Sequence, residues 1–279
     1  MNLTVLYITN DPQVAAIAQE NGVDRVMVDL ETLGKEERQK GMNTVKSHHT
    51  VADVAALSKV LTVAELMVRI NPWHGESRKE IEAVLAAGAK RIMLPMWKTP
   101  LEAKAFLDAV GARAGTTLLL ETAEAHRCVD EVLALEGLDE IHVGLNDLHL
   151  CYGKTFMFEL LADGTVEALC EKFRRRGIPF GFGGIARIGE GMLSADRIVT
   201  EHYRLGSTRA ILSRAFCNAA EIGDLGEIRR IFKENMKNLR GFEAGLPRLG
   251  EAALAINRIE LCRGVDAVVE HIKKKREQE

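Results

Sequence analysis

Short apolar runs recur along the chain and alternate with stretches whose apolar residues follow helical spacing. Several runs, such as VMVDL, LMVRI and TLLLE, are almost continuously apolar, which is typical of strands covered on both faces of a parallel sheet. The predicted strands are 3–8, 25–30, 66–70, 91–95, 117–121, 140–144, 179–183 and 209–213. Because strand–helix alternation implies right-handed crossovers and eight units can close a sheet, the pattern predicts an α/β fold of the TIM (β/α)8 barrel type.

The pattern changes near the end of the chain. Residues 219–239 have the spacing of the eighth barrel helix, so residues 1–240 are predicted to form the catalytic barrel domain. The connector GFEAGLPRLG follows, and residues 251–275 predict one further helix with an apolar face of its own. We therefore expect residues 241–279 to be a C-terminal helical extension that packs at a subunit interface or caps the barrel. A homo-oligomer is expected on the same ground.

Composition and charge exclude several classes of protein. The net charge of −3 over 279 residues argues against a nucleic-acid-binding surface, which needs a basic stripe. No apolar run approaches the length of a membrane span, and the N-terminal run has no basic region before it, as a signal peptide would. The five cysteines are odd in number and form no CxxC pair, which disfavours a disulfide framework or a structural zinc site. A cytoplasmic protein with reduced cysteines is expected, without nucleic-acid or membrane partners.

Polar residues interrupt the apolar pattern where predicted strands end. In a barrel of parallel strands these ends share one face, and catalytic side chains lie there. Five adjacent strands contribute residues to this face, which is a stronger signal than any single motif. The residues are Asp29 and Glu31 after strand 2, Arg69 in strand 3, Pro95 at the end of strand 4, Glu121 at the end of strand 5 and Asp147 after strand 6.

Glu121 and Asp147 are the best candidates for metal ligands. Both supply carboxylate oxygens from neighbouring strands, so they can converge on one cation, and Mg²⁺ or Mn²⁺ prefers such ligands. The structural alternative is that Glu121 pairs with a core arginine and Asp147 caps the next helix. Their joint placement favours the metal site.

Arg69 is predicted to be largely buried, and a buried guanidinium needs an anionic partner. Asp29 or Glu31 would make a structural ion pair, and a substrate carboxylate is the functional alternative. Both can hold if the ion pair orients the arginine toward substrate.

A long polar segment after strand 2, GKEERQKGMNTVKSHHT, carries two histidines. It leaves the catalytic face and exceeds the usual length of such loops, which favours a functional lid. His49 is the preferred general base because it directly precedes Thr50 at the start of a helical pattern, where its backbone would be fixed. His48 is a close alternative, Glu31 could also serve, and a neighbouring subunit could supply the base instead.

Five segments together resemble the HpcH/HpaI aldolase and citrate lyase superfamily. They are VMVDLE, LMVRINPW, RIMLPMWKTPLEA, LLLETAEA and IHVGLNDLHLCYG, which occur in the family's order and span roughly residues 20–155. The resemblance implies a metal-dependent barrel that acts on the enolate of a keto acid or acyl-CoA. It also implies metal ligands at Glu121 and Asp147, an active-site arginine at Arg69, and oligomers with exchanged C-terminal helices.

The sequence departs from the family pattern at one informative position. Where the pyruvate aldolases carry a histidine base after the strand-2 acidic pair, and the acyl-CoA lyases a second acid, this chain has Thr32. The glycine-rich insertion of the aldolases between strands 4 and 5 is also absent. We expect a divergent aldolase that cleaves or forms a 4-hydroxy-2-oxo acid, with small 2-oxo acid and aldehyde substrates bound near Arg69, Glu31 and Pro95. An acyl-CoA lyase is the alternative enzyme, and a ligand-binding barrel without catalysis is the alternative to an enzyme.

Overall fold

The computed structural model describes residues 2–34 and 49–278. In these ranges eight parallel strands form a closed barrel in which each strand pairs with its neighbours in chain order and the last pairs with the first. The strands are β1 Thr4–Ile8, β2 Arg25–Asp29, β3 Glu65–Arg69, β4 Arg91–Leu94, β5 Gly115–Leu120, β6 Glu140–Val143, β7 Phe180–Ile185 and β8 Arg209–Leu212. The predicted TIM barrel is therefore confirmed, with strand ends shifted by one or two residues.

Helices surround the barrel and return the chain to the start of each next strand. They are α1 Pro12–Glu20, α2 Val51–Val60, α3 Ser77–Ala86, α4 Pro100–Val110, α5 Ala123–Arg127, α6 Val129–Val132, α7 Leu145–Cys151, α8 Glu159–Ala162, α9 Thr165–Arg175, α10 Ala195–Leu205, α11 Ala219–Ile222, α12 Leu225–Glu243 and α13 Glu251–Arg276. The predicted eighth helix is divided in two, because Gly223 takes a positive φ of 67° that ends α11, and Asp224 then caps α12. No helix in the described ranges has the length and apolar character needed to span a membrane.

The inside of the barrel is built in layers. A central apolar layer consists of buried side chains from five strands: Leu6, Met27, Met67, Met93 and Leu119. Side chains two positions apart in a strand point to the same face of the sheet. Asp29 therefore points to the same side of its strand as Met27, and Arg69 to the same side as Met67. Glu121 follows Leu119 in the same way. These three polar side chains therefore lie inside the barrel at its carboxyl-terminal face, above the central apolar layer.

The amino-terminal end of the barrel is closed by an ion-pair network. The Glu140 carboxylate lies 2.6 Å from Arg25 and 2.7 Å from Arg209, with Arg91 at 3.8 Å. Glu65 completes the network with Arg25 at 2.6 Å and Arg91 at 3.0 Å. Groups at this face of a barrel serve stability, whereas the opposite face carries chemistry.

The C-terminal extension packs against its own barrel, on α10 and α8. Leu261, Val265 and Val268 of α13 are buried there. Asn257 donates from Nδ2 to the Arg197 carbonyl and to the buried Glu201 carboxylate, both at 3.1 Å. Two isoleucines of the same helix, Ile256 and Ile259, remain exposed. The extension therefore covers the barrel flank of its own chain, and its packing at a subunit interface stays a prediction.

Candidate active site

The best-defined contact at the carboxyl-terminal face joins the ends of β2 and β3. Asp29 and Arg69 are register partners in the sheet. The Arg69 guanidinium donates from Nε to Asp29 Oδ1 and from Nη2 to Asp29 Oδ2, each at 2.8 Å, and Glu31 Oε2 lies 3.4 Å from Nη2. Burial alone would lower the pKa of Arg69, but the carboxylates of Asp29, Glu31 and Glu121 together outweigh burial and raise this pKa. The guanidinium stays charged and pairs with both Asp29 and Glu31, the two acids that the sequence offers as alternative partners.

Glu121 directly follows β5 and is almost fully buried, with 3% of its surface exposed. Its Oε1 accepts a hydrogen bond of 3.0 Å from the backbone N–H of Met96, at the end of β4. Burial raises the pKa of Glu121 well above its usual value, and the negative charges of Asp147 and Glu31 raise it further. The positive charge of Arg69 acts in the opposite direction. The structure thus brings Asp147, Glu31 and Arg69 within electrostatic range of Glu121.

Asp147 lies in the first turn of α7, close behind β6, and is half-buried. Gly144 precedes this helix and approaches Glu121 closely. A Cβ at Gly144 would lie 2.7 Å from Glu121 Oε2 and 2.8 Å from Glu121 Cβ, which is too close for any other residue. The glycine therefore provides the space into which the Glu121 carboxylate fits, next to the segment that carries Asp147.

These carboxylates suit a hard divalent cation. Burial and neighbouring negative charge both disfavour the ionised form of Glu121, and a cation between it and Asp147 would relieve both. Among the described residues, no three His, Cys, Asp or Glu side chains are grouped so as to bind a metal by themselves. Two protein carboxylates fit a site at which water and substrate oxygens supply the other ligands, as is usual for Mg²⁺.

His49 lies beside the end of β2. The backbone N–H of Asp29 donates to His49 Nδ1 at 3.0 Å, and Thr50 caps α2 through a reciprocal pair of hydrogen bonds with Asp53. The backbone around His49 is thus fixed, as the sequence predicts. Because Nδ1 accepts this hydrogen bond, the neutral ring carries its proton on Nε2. His49 can then act as a base only after Nδ1 leaves the Asp29 amide. His48 and most of the long polar loop lie outside the described residues.

Some residues at this face carry roles that the sequence pattern does not indicate. Asn71 Oδ1 accepts hydrogen bonds from the backbone N–H of Thr32 at 2.9 Å and of Leu33 at 3.0 Å, so it holds the segment after Glu31. Met96 has a φ of 52°, the only positive value of a non-glycine residue in the described ranges. The sequence shows that an asparagine, Asn71, follows a strand and could therefore be recognised as a candidate site residue. The backbone angle of Met96 cannot be recognised from the sequence. Pro95 is buried directly before Met96, and its contact with substrate stays a prediction.

A groove lies elsewhere on the molecule. It has a volume of about 690 Å³ and lies between α10, α12 and α13, with Arg197, Phe242, Leu246 and Asn257 among its lining residues. It contains none of the strand-end residues described above. The chemistry of the side chains, rather than the size of the cavity, therefore identifies the carboxyl-terminal face as the candidate active site.

Comparison with protein families gives a match to the HpcH/HpaI aldolase/citrate lyase model over residues 3–156, just over half of the chain. Comparison with curated proteins gives no match. Among solved structures, the HpcH/HpaI aldolase from Desulfitobacterium hafniense DCB-2 is similar with a TM-score of 0.61 and 16% identity, covering 82% of this chain and 93% of that one.

Two further solved structures show the same fold at the same 16% identity. The citrate synthase SbnG has a TM-score of 0.60, with 82% of this chain and 94% of that chain covered. A HpcH/HpaI aldolase/citrate lyase family protein from Burkholderia cenocepacia J2315 has a TM-score of 0.57, with 82% and 95% covered. At this level of identity, the likeness extends to the fold alone.

Proposed function

The chain belongs to the HpcH/HpaI aldolase/citrate lyase family, and from this premise we propose that it is a metal-dependent carbon–carbon lyase acting on a 4-hydroxy-2-oxo acid. Members of the family are generally lyases. The observation that carries the proposal is the pair of carboxylates, Glu121 and Asp147, placed at the ends of neighbouring strands beside Arg69.

Glu121 and Asp147 would hold a divalent cation, with Mg²⁺ or Mn²⁺ the best match to their oxygen ligands. When bound, such a cation polarises the oxygens of a 2-oxo acid and stabilises the negative charge that carbon–carbon cleavage leaves on it. The Glu121 carboxylate accepts a hydrogen bond from the Met96 amide and lies against Gly144. A buried carboxylate so restrained loses little further freedom on binding the ion.

Arg69 would bind the anionic end of the substrate and stabilise the developing enolate. Its guanidinium has five N–H donors, and Asp29 takes one from Nε and one from Nη2. Asp29 therefore orients the group while leaving other donors for substrate oxygens. Because a guanidinium stays protonated near neutral pH, the positive charge of Arg69 would be available where the negative charge of the enolate develops.

A base must take the proton of the substrate's 4-hydroxyl group when the bond breaks. We propose His49 for this step, with the condition that Nδ1 exchanges the Asp29 amide for the substrate hydroxyl. Glu31 is the alternative among the described residues. It is buried and lies 3.4 Å from Arg69, the residue proposed to bind the substrate. His48 is the alternative outside them. Thr32, whose backbone N–H binds Asn71, cannot serve as a base near neutral pH.

A panel of substrates tests the proposal. The purified chain is incubated with 4-hydroxy-2-oxo acids in the presence of Mg²⁺, Mn²⁺ or Co²⁺, and released pyruvate is measured. Metal-dependent release is the expected result, and its loss in Glu121→Gln but not in the exposed control Glu234→Gln would assign it to this site. Cleavage of acyl-CoA esters in place of the oxo acids would favour an acyl-CoA lyase. Binding without turnover would favour a barrel that serves as a binding module.

A further inference from the structure

The backbone of Met96 has an unusual conformation next to the Glu121 carboxylate. Its φ of 52° lies in the left-handed region, which residues with a side chain rarely adopt. Such conformations persist where the surrounding structure enforces them, and they cluster at functional sites. Met96 directly follows Pro95 at the end of β4, and the N–H that this conformation presents donates to Glu121 Oε1 at 3.0 Å.

A second contact ties the same two segments together. Thr122, which follows Glu121, donates from Oγ1 to the carbonyl of Trp97, which follows Met96, at 2.8 Å. Thr122 Oγ1 also accepts from the Ala125 amide at 3.0 Å and so caps α5. The left-handed turn at Met96 is thus bonded to the Glu121 segment at two successive positions. This leaves the Met96 amide little freedom to point elsewhere.

The opposite side of the Glu121 carboxylate is closed by Gly144. A Cβ there would lie 2.7 Å from Oε2, so Oε2 rests against the residue at which the Asp147 segment begins. We propose that Met96 and Gly144 are positioning residues for the Glu121 carboxylate. The Met96 amide binds Oε1, and the lack of a side chain at Gly144 leaves room for Oε2, through which Glu121 would hold a cation together with Asp147. This inference rests on the metal site of the proposed function. It adds that Oε2 is the Glu121 oxygen available to the cation, and that Met96 and Gly144 hold the carboxylate in place.

Four variants separate a backbone role from a side-chain role. Met96→Ala and Met96→Gly remove the side chain and keep an amide that can stay in the left-handed region. Met96→Val adds a β-branched side chain, for which that region is a genuine outlier, so the amide should turn away from Glu121. Gly144→Ala places a methyl group against Oε2. Gly241→Ala is the matched control, since nothing lies within 4 Å of a Cβ at Gly241.

The measurement is Mn²⁺ affinity, followed by the spectroscopic signal of free Mn²⁺ in titrations of the whole chain, with thermal unfolding recorded alongside. A hydrogen bond to a carboxylate is worth at least about tenfold in affinity, so Met96→Val should bind Mn²⁺ at least about tenfold more weakly. Gly144→Ala should also bind Mn²⁺ more weakly, because its added methyl group displaces Oε2. Met96→Ala, Met96→Gly and Gly241→Ala should bind as the parent does. A merely structural role would lower the unfolding temperature without changing the affinity of the folded protein.

Each outcome decides the question. If Met96→Ala and Met96→Gly lose as much affinity as Met96→Val, the side chain matters and the inference is wrong. If all these variants bind as the parent while Glu121→Gln does not, the metal site stands and the positioning role is wrong. If the parent itself does not bind Mn²⁺, the proposed function fails and the inference fails with it. Should Met96→Val not fold, Gly144→Ala compared with Gly241→Ala gives the answer.

Discussion

The ion-pair network at the amino-terminal end of the barrel gives a quantitative prediction for Glu140. This carboxylate is 3% exposed and contacts Arg25 at 2.6 Å and Arg209 at 2.7 Å. It also accepts a hydrogen bond of 2.8 Å from Thr117 Oγ1. Burial alone would raise the pKa of Glu140, but its three arginine neighbours outweigh it and lower the pKa from 4.5 to about 2. A shift of this size corresponds to about 3 kcal/mol of stability at neutral pH.

The sign of the pH dependence follows from the direction of this shift. The folded protein binds the Glu140 proton more weakly than the unfolded chain, so the contribution is fully present above about pH 4.5 and is lost as the pH falls toward 2. Glu140→Gln removes the charge at nearly constant volume and leaves buried arginines short of a partner. We expect the substitution to cost about 3 kcal/mol at pH 7, and the difference from the parent to shrink as the pH falls below 4.5.

The assay is urea unfolding of the parent and of Glu140→Gln at several pH values between 7 and 2.5. The control is Glu234→Gln, because Glu234 pairs with Arg230 on the exposed surface of α12, where both side chains are about 60% exposed. This control should leave the free energy of unfolding essentially unchanged. A Glu140→Gln protein as stable as the control at pH 7 would contradict a stabilising role for the Glu140 carboxylate. So would a difference from the parent that does not change with pH.

Three further predictions concern the site and the assembly. Glu121→Gln and Asp147→Asn should each abolish Mn²⁺ binding, measured by titration, without unfolding the barrel; parent-like affinity in both would place the metal elsewhere. His49→Ala should lower the turnover of a 4-hydroxy-2-oxo acid by about 10²- to 10⁴-fold while leaving metal affinity intact, and near-full turnover would remove His49 as the base. The chain should be oligomeric in light scattering at micromolar concentration, since Ile256 and Ile259 are exposed on α13; a monomer would contradict this.

Much of the fold can be predicted from the sequence because parallel strands buried on both faces leave a strong apolar signal. The same strand period is enough to predict that Asp29, Arg69 and Glu121 lie at one end of the barrel, and the Asp29–Arg69 ion pair is present as expected. The position of Asp147 can be predicted in the same way, because it lies in the first turn of the helix that follows β6. These inferences depend on local pattern and on one general property of barrels, that strand ends share a face.

What could not be predicted depends on backbone angles and on contacts between distant segments. Nothing in the sequence indicates that Met96 takes a positive φ, or that Gly144 is needed for space beside Glu121 rather than for its own conformation. The hydrogen bond from the Asp29 amide to His49 Nδ1 sets the position of the ring proton, and no sequence pattern carries that information. The helical spacing continues on either side of Gly223 and conceals the break there, although Gly223 followed by Asp224 carries the signals of a helix end and of a new helix start.

Enolate formation tests the proposed lyase activity most directly, because its measurement does not require the identity of the aldehyde product. Pyruvate is incubated with the protein and Mg²⁺ in deuterated water, and exchange of its methyl protons is followed by NMR. We expect exchange that requires Mg²⁺ and is lost in Glu121→Gln but kept in the surface control Glu234→Gln. Exchange that is no faster than without protein, or that persists equally in Glu121→Gln, would contradict a metal-stabilised enolate at this site.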